Sequence, residues 1–381
     1  TEPGLYPDLL RPISQEDRIY LVSGRLSSVW VDVFPDDTAS EGLHEIQIRF
    51  FSETGEEVGR SVFMLRLIPC RLPKQKLIYT QWFHCDCLAD YYHVAPFSEE
   101  HWEIIESFLK TAAANGVNMI LTPIFTPPLD TAVGGERTTT QLVGIRTDGD
   151  AYCFDFAKLD RWVELCRRCG IEYFEMSHLF TQWGAYHAPK IMAEKDGAFV
   201  RIFGWETDAH SEAYNRFLQA FLPKLREHLR QLGIENHCVF HISDEPGEGQ
   251  LDSYLKAKQT VSRALSGCTM IDALSHYAFY ESGAVEHPVC ATNHIEPFLE
   301  HKVPNLWAYY CCRQYNEVSN RFLSMPSARN RIIGVQLFWH NIAGFLHWGF
   351  NFYNNQYSQS PVNPYLCTDG EYFVPSGDAF S

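Results

Sequence analysis

Apolar and polar residues alternate with a period of two in four short stretches near the start of the chain. Turn-forming residues such as Pro35 and Gly55 separate these stretches, and this pattern is typical of antiparallel strands. Four strands are few for an independent sandwich, so the sequence predicts a partial β-sandwich module over residues 1–73. The four predicted strands span residues 19–22, 28–33, 43–51 and 61–68.

From residue 77 onward, apolar strand-like runs alternate with amphipathic stretches that end at glycine. Eight such runs predict an α/β fold, a (β/α)8 TIM-like barrel over residues 74–345, because a doubly wound sheet rarely supplies eight strands. An aromatic extension, residues 346–381, is expected to pack at the barrel mouth. The predicted barrel strands span residues 77–82, 117–123, 171–177, 238–243, 269–274, 289–292, 306–310 and 332–338.

The chain of 381 residues carries a formal net charge of −16, and its lysines and arginines form no dense run. Proteins that bind phosphate backbones need a basic surface, so no nucleic-acid partner is expected. No apolar run reaches the roughly 18 residues that span a bilayer, so no membrane span is expected either. No signal segment is visible, although the chain begins at Thr1 and a removed leader stays open.

Twelve cysteines occur in the chain, and they form no paired Cys-x-x-Cys module of the zinc-finger kind. Free cysteine is among the most buried residue types, so we expect structural, reduced thiols and neither a metal nor a cofactor. Reduced thiols favour a cytoplasmic location.

The most informative stretch, Cys-Val-Phe-His-Ile-Ser-Asp-Glu-Pro at 238–246, reads as a short buried strand that Pro246 ends. Two adjacent carboxylates, Asp244 and Glu245, therefore follow the C-terminal end of a strand. In a (β/α)8 barrel this end is the face on which active sites are built. The pair is a candidate for catalysis, and capping of the following helix is an equally plausible role.

Aromatic, imidazole and amide side chains follow the other predicted strands. Neutral donors and flat rings suit a substrate with many hydroxyl groups, whereas a phosphate would need Lys, Arg or a glycine-rich cradle. Each residue alone is more often part of the core than of a site, but their joint position at the strand ends favours a binding site. The candidate substrate-binding residues are His84, His178, Tyr277, Asn293, Tyr310, Trp339, His340, Trp348 and Asn351.

Three motifs carry a family resemblance: Gln-Trp-Phe-His at 81–84, His-Ile-Ser-Asp-Glu-Pro at 241–246, and Phe-Trp-His-Asn-Ile-Ala-Gly-Phe-Leu-His-Trp-Gly at 338–349. From about Tyr6 to its end, the chain resembles glycoside hydrolase family 123 and its relatives with the domain of unknown function 4091. The resemblance implies a barrel flanked by β-domains and a β-N-acetylgalactosaminidase activity. The catalytic Asp-Glu pair of that family matches Asp244 and Glu245.

Two neighbouring carboxylates seldom reach opposite sides of one glycosidic bond, as an ordinary retaining glycosidase requires. They fit better a substrate-assisted reaction, in which the 2-acetamido oxygen of the sugar attacks its own anomeric carbon. We expect Glu245 to act as acid and base, and Asp244, kept ionised by donors such as His241 or Ser243, to orient the acetamido group. The expected partner is a glycan or glycoconjugate with a terminal β-N-acetylhexosamine.

Aromatic side chains are the expected platform for the sugar ring, with Trp348, Trp339 and Tyr310 as the candidates. Tyr277 and Asn293 are expected to bind the acetamido carbonyl or the hydroxyl groups. The long connections at 126–150 and 181–209 are expected to shape the cleft, with Arg137 as one candidate for an acidic group on the glycan.

Three alternatives stay open at this stage. In a double displacement, Glu175 or Asp272 would be the nucleophile, and a 2-acetamido group would not be needed. In a metal-dependent hydrolase, zinc would be bound by ligands of the right types, although no strand supplies a His-x-His pair. The protein would otherwise bind sugar without turnover. The candidate zinc ligands are His84, Asp86, His178 and Asp244.

Overall fold

The structure is a computed structural model of the chain, and it describes residues 10–14, 17–36, 38–149, 151–374 and 378–379. The described chain forms two compact units, one over Leu10–Gln75 and one from Lys76 onward. The start of the family resemblance near Tyr6 lies outside the described residues.

The first unit contains one antiparallel hairpin, in which strand β1, Gly42–Phe51, pairs with strand β2, Glu57–Leu67. A tight turn with Gly55 in the left-handed region joins the two strands. The antiparallel β-structure ahead of the barrel is thus confirmed, but the predicted strands at 19–22 and 28–33 are wrong. Alternation alone does not make a strand, and these stretches have no pairing partner among the described residues.

The second unit is built on a closed barrel of eight parallel strands, which confirms the predicted (β/α)8 fold. Each strand pairs with the next along the barrel, and the last strand closes it by pairing with the first. The barrel strands are β3 (Ile78–Gln81), β4 (Met119–Thr122), β7 (Tyr173–Met176), β10 (Cys238–Phe240), β11 (Thr269–Leu274), β12 (His287–Ala291), β13 (Trp307–Tyr310) and β14 (Gly344–His347).

Helices connect the barrel strands and cover them from outside. No described helix is both long enough and apolar enough to cross a membrane. Ser98 and Ser211 cap the two longest helices by accepting backbone N–H bonds with their side chains. The helices are α1 (Cys85–Tyr92), α2 (Glu99–Ala114), α3 (Ala157–Cys169), α4 (Glu212–Gln231), α5 (Leu251–Ser262), α6 (Ala278–Glu281), α7 (Glu296–Glu300), α8 (Ser327–Arg331) and α9 (Ile333–Trp339).

The two long connections after β4 and β7 contain additional strands. These strands form a four-stranded sheet with the order β6, β5, β8, β9. The connections predicted to shape the cleft therefore have regular structure of their own. The strands are β5 (Gly144–Asp148), β6 (Ala151–Asp155), β8 (Ile191–Lys195) and β9 (Ala198–Phe203).

The eighth barrel strand is not at 332–338, as predicted, but at Gly344–His347. The predicted segment forms helices α8 and α9, because a short apolar run does not by itself distinguish a strand from a helix. The predicted boundary between residues 345 and 346 consequently falls inside a barrel strand. Helix α9 leads into the N-terminal end of β14, so its last residues lie at the end of the barrel opposite the mouth.

Side-chain alternation on strand β13 determines which aromatic residues reach the barrel interior. Trp307 and Tyr309 pack in the inner cluster with Val289 and Leu346, whereas Tyr310 packs in the outer layer between the barrel and the helices. The Trp307 ring occupies the space beside Gly344, where a Cβ atom would lie 2.1 Å from ring carbons. A side chain at position 344 would therefore overlap the Trp307 ring.

We predict that Gly344→Ala destabilises the barrel by about 1–3 kcal/mol or more, because the added methyl group overlaps the Trp307 ring. Urea unfolding followed by tryptophan fluorescence measures this change. Gly334→Ala in helix α9 is the matched control, since nothing lies within 4 Å of its Cβ position and alanine favours helix. Equal stability of the two variants would contradict the role of Gly344.

Candidate active site

The Asp244-Glu245 pair lies at the barrel mouth, just beyond strand β10. The backbone N–H of Glu245 donates to the Ala273 carbonyl at 3.1 Å, and the Asp244 carbonyl accepts from the Trp183 N–H at 2.9 Å. Strand β11 and the loop after strand β7 thus hold the two residues. Gln250 occupies the N-cap of the next α-helix, so neither carboxylate has the capping role that the sequence left open.

Glu245 adopts a left-handed backbone with φ of 42°, an uncommon conformation for a residue with a side chain. The Tyr309 hydroxyl on strand β13 donates to Glu245 Oε1 at 2.5 Å. This phenol is buried in the barrel interior, so Glu245 is positioned by a fixed donor. Strained backbone of this kind is common at active sites, where surrounding bonds maintain it.

Asp244 is only 7% exposed. Burial, followed by the neighbouring charge of Glu245, raises the pKa of Asp244 well above its usual value. The expectation that His241 or Ser243 donates to Asp244 is wrong. The Ser243 hydroxyl donates to the Thr181 carbonyl at 2.8 Å, and His241 uses both ring nitrogens elsewhere.

A buried ion network lies beneath the pair. His241 Nε2 is 2.7 Å from Glu175 Oε1, and His241 Nδ1 is 3.0 Å from Asp272 Oδ1. Burial lowers the pKa of His241, but the hydrogen bonds to Asp272 and Glu175 outweigh it and raise this pKa to about 10. His241 is therefore an imidazolium between two carboxylates. We call Glu175, His241 and Asp272 the ion triad.

Both carboxylates of the triad have further donors. Glu175 accepts from the Thr80 hydroxyl and the Trp82 indole N–H, each at 2.7 Å. Asp272 accepts from the Ile242 N–H at 3.2 Å and from the Tyr254 hydroxyl. Acceptors engaged in this way are poorly suited to attack a sugar, so the geometry does not favour the double-displacement alternative.

His178 stacks on His241 with ring centroids 4.2 Å apart, and its edge meets the Trp82 ring. Burial and the His241 charge lower the pKa of His178 well below its usual value, so its imidazole is neutral. Among the described residues, no side chain or backbone group pairs with either ring nitrogen. His178 is therefore a fully buried ring packed against Trp82 and His241.

The buried cluster of His178, His241 and Asp272 does not fit a metal site. One ligand atom each from His178, His241 and Asp272 lies within 4.8 Å of the others. Both ring nitrogens of His241 face carboxylates, however, so the ring has no nitrogen free for a metal. The alternative zinc ligands His84 and Asp86 are also engaged. Asp86 accepts a hydrogen bond from Arg137, and Arg137 contacts the His84 ring.

His84 and Asn351 belong to a hydrogen-bonded frame under the mouth. The Asn351 side-chain amide accepts from the His84 backbone N–H at 2.8 Å and donates to the His84 carbonyl at 3.1 Å. Arg137 donates two bonds to Asp86 and approaches His84 Nδ1 at 3.1 Å. Arg137 is thus buried in an ion pair and is not free to bind an acidic glycan.

Trp348 follows strand β14 at the mouth and packs against the inner cluster. Its indole N–H donates to Asp378 Oδ2 at 2.9 Å, while Asp378 Oδ1 lies 3.0 Å from His347 Nε2. The half-buried ring keeps Trp348 as the strongest of the sugar platforms proposed from sequence.

The remaining candidates lie elsewhere. Trp339 is the last residue of α9 and 80% exposed, and His340 follows it, so both lie at the barrel end opposite the mouth. Tyr310 packs outside the barrel, 4.9 Å from the Phe345 ring. The structure therefore places these three away from the pair, because the eighth strand and the facing of β13 differ from expectation.

Tyr277 and Asn293, the two candidates for binding the acetamido group, lie in different places. Tyr277 stacks on His301, just after helix α7, and meets Phe298 within that helix, which places its ring in the outer layer. Asn293 is exposed after strand β12, and its Oδ1 accepts from Gln314 at 2.7 Å. Asn293 is thus available to a ligand through its side-chain N–H groups, whereas Tyr277 is not at the mouth.

Sequence reasoning missed Tyr309 and the link between Glu175, His241 and Asp272. The sequence does not show which of the adjacent residues Tyr309 and Tyr310 faces the barrel interior. A carboxylate and an imidazole within apolar strands are a visible signal of a buried pair, because an unpaired charge would be costly there. Their mutual contact required the barrel register.

The closed (β/α)8 barrel carries a pair of carboxylates at its mouth, and carboxylates are the groups that glycoside hydrolysis uses. A sequence model of the glycoside hydrolase 123 catalytic domain matches residues 82–381. The chain therefore belongs to glycoside hydrolase family 123. No curated protein sequence matches the chain significantly.

Among solved structures, a family 123 glycoside hydrolase from Clostridium perfringens, studied for glycolipid glycan hydrolysis, is similar at 16% identity and a TM-score of 0.67. The match covers 90% of this chain but only 60% of that protein. A β-galactosidase from Bacillus circulans sp. alkalophilus has 11% identity and a TM-score of 0.38, covering 72% of this chain and 50% of that one. A Thermobacillus composti xylanase has 10% identity and a TM-score of 0.36, covering 72% and 84%.

We predict that Arg137→Met lowers the free energy of unfolding by about 3–5 kcal/mol, because it leaves the Asp86 carboxylate buried without its partner. Urea unfolding measures the loss. Arg216→Met is the control, since Arg216 pairs with Glu212 on the exposed face of α4 and such pairs contribute about 1 kcal/mol at most. If Arg137→Met lowered the free energy of unfolding no more than Arg216→Met, the structural role of the buried Arg137–Asp86 ion pair would be contradicted.

Proposed function

We propose that the protein is a retaining glycoside hydrolase that removes β-linked N-acetylhexosamine, with N-acetylgalactosamine favoured, by substrate-assisted catalysis through an oxazoline intermediate. The observation that carries the proposal is the division of carboxylates at the mouth. Asp244 and Glu245 are adjacent on one loop, while Glu175 and Asp272 are bound within the ion triad. The sugar's own acetamido oxygen then supplies the nucleophile that the protein lacks.

In the proposed first step, Glu245 gives its proton to the glycosidic oxygen while the acetamido oxygen attacks the anomeric carbon. The bond to the leaving group breaks, and a cyclic oxazolinium ion forms. Glu245 then removes a proton from a water molecule that opens the ring, which restores the anomeric configuration through two inversions. The hydrogen bond from Tyr309 positions Glu245 for both proton transfers.

Asp244 would accept a hydrogen bond from the acetamido N–H and stabilise the positive charge of the oxazolinium ion. Burial and Glu245 hold the pKa of Asp244 high in the empty site. The positive charge of His241 lowers the pKa of Asp244, whereas the negative charges of Glu175 and Asp272 raise it. After burial and Glu245, the charges of the ion triad therefore contribute to the pH at which Asp244 becomes active.

The proposed substrate is a glycan or glycoconjugate with a terminal β-N-acetylhexosamine. Support comes from membership of family 123 and from the adjacent carboxylate pair, which fits acetamido-dependent chemistry better than double displacement. Trp348 is the proposed platform for the hexosamine ring, and Asn293 a donor to its polar groups. A cytoplasmic location stays a prediction from the reduced cysteines, all of which are free thiols.

We predict that the protein hydrolyses aryl β-N-acetylgalactosaminide and β-N-acetylglucosaminide but neither aryl β-galactoside nor β-glucoside, because only the first two contain the acetamido nucleophile. Glu245→Gln should reduce turnover of an unactivated glycoside by at least about a hundredfold, as expected for loss of a general acid and base. Initial rates across the four glycosides measure the specificity. Cleavage of the plain galactoside at a comparable rate would refute the substrate-assisted mechanism.

A second prediction concerns the ion triad. His241→Gln removes the positive charge near Asp244, so the low-pH limb of kcat/KM should move to higher pH by about one unit. Glu175→Gln removes a negative charge and should move the same limb to lower pH. These opposite directions follow from the sign of each charge that acts on Asp244.

The double variant Glu175→Gln with His241→Gln is the charge-matched control. It removes one charge of each sign and leaves Asp272 as the single negative group, which is the net charge of the intact triad. The low-pH limb should therefore return towards its wild-type position. If the double variant instead shifts as far as the more affected single variant, the triad serves only packing, and its electrostatic role is refuted.

A further inference from the structure

Two partly exposed aromatic side chains, Trp183 and Tyr357, lie next to each other at the rim of the mouth. Trp183 is 38% exposed and Tyr357 is 37% exposed. Their ring centroids are 5.8 Å apart, and the ring planes are nearly perpendicular at 89°. The two residues come from distant parts of the chain, the loop after β7 and the segment after β14. We call this pair of rings the rim aromatics.

Both residues have a left-handed backbone, with φ of 58° at Trp183 and 61° at Tyr357. A bulky residue in this region is a genuine outlier that costs of order 1–3 kcal/mol and persists only where neighbouring bonds maintain it. Exposed strain of this kind contributes nothing to a core. The strained backbone therefore indicates that the positions of the two rings serve a function.

Hydrogen bonds from the active site maintain the backbone of Trp183. Its N–H donates to the Asp244 carbonyl at 2.9 Å, and its carbonyl accepts from Gln250 Nε2 at 2.7 Å. The next residue, Gly184, has φ of 117° and no room for a side chain, since a Cβ would meet the Tyr186 ring and the Gln250 amide. The orientation of Trp183 is thus tied directly to the catalytic loop.

The loop after β4 maintains the backbone of Tyr357 in the same way. The Tyr357 N–H donates to an Asp130 carboxylate oxygen at 3.0 Å, and the Tyr357 carbonyl accepts from the Ala132 N–H at 3.0 Å. The Ser358 hydroxyl donates to the Asp130 carbonyl at 2.7 Å. Three segments of the chain therefore converge where the two rings meet, and the backbone of Trp183 is bonded to that of Asp244.

Exposure increases outward from the catalytic pair. Asp244 and Tyr309 are buried, whereas the rim aromatics are more than a third exposed. A hexosamine bound over Asp244 would occupy the buried part, and whatever is attached to its anomeric carbon would extend towards the rim. A protein partner is a poor occupant, because a stable interface buries roughly 1,200 Å² or more, far beyond what two rings present.

We propose that Trp183 and Tyr357 form the binding site for the sugar on the leaving-group side of the scissile bond. The apolar C–H face of a pyranose packs on an aromatic ring, and two perpendicular rings would contact one sugar on two sides. The inference rests on the proposed function and adds to it the recognition of a saccharide, rather than a small alcohol, as the leaving group.

The test compares two substrates with similar alkoxide leaving groups, methyl β-N-acetylgalactosaminide and β-N-acetylgalactosaminyl-galactose. Trp183→Asn and Tyr357→Asn remove each ring while asparagine tolerates the left-handed backbone. Each variant should lower kcat/KM for the disaccharide by about tenfold, mainly through KM, which corresponds to about 1.4 kcal/mol. Values for the methyl glycoside should change less than twofold. Trp183→Phe, which keeps a ring, should recover most of the disaccharide activity.

Trp339→Asn is the matched control, because this exposed indole lies at the opposite end of the barrel. It should leave both substrates unaffected. Equal losses on both substrates in the rim variants would mean that they disturb Asp244, and this outcome would overturn the proposal, as would unchanged disaccharide kinetics. A wild-type protein inert towards both substrates would refute the proposed function itself, and the leaving-group site with it.

Discussion

The protonated His241 between Glu175 and Asp272 is the interaction on which the active site depends. A buried charge is costly unless partners surround it, and here each ring nitrogen faces a carboxylate. Glu175 also binds Thr80 and Trp82. The network thereby joins residues on or just after β3, β7, β10 and β11, which is half of the barrel. It ties the end of strand β10, just before Asp244 and Glu245, to its neighbouring strands.

The same network separates the carboxylates of the mouth into two groups. Glu175 and Asp272 are saturated with donors and stabilise the imidazolium. Asp244 and Glu245 lie above them, with Glu245 bound by Tyr309 and Asp244 buried beside it. This division favours an active site that orients a nucleophile of the substrate. Charge in the lower group acts on the pKa of Asp244 in the upper group.

The sequence predicted the overall barrel better than it predicted which residues lie at the mouth. Alternation of strand and helix predicted the barrel, but 332–338 forms helix and Gly344–His347 forms the strand. A short apolar run fits both structures until its neighbours decide. Because the eighth strand begins only at Gly344, Trp339 lies away from the mouth. Trp348 lies at the mouth, because the true strand ends just before it.

The sequence by itself determined the fold class, the family and the position of Asp244 and Glu245 after a strand, because strand periodicity and adjacency along the chain are local properties. The tertiary structure alone decided that Tyr309 rather than Tyr310 faces the pair, since adjacent residues on a strand point to opposite sides and only the closed barrel defines which is inside. It also decided that residues as distant as Glu175 and Asp272 share one imidazolium. Such contacts depend on strand register, which no local pattern encodes.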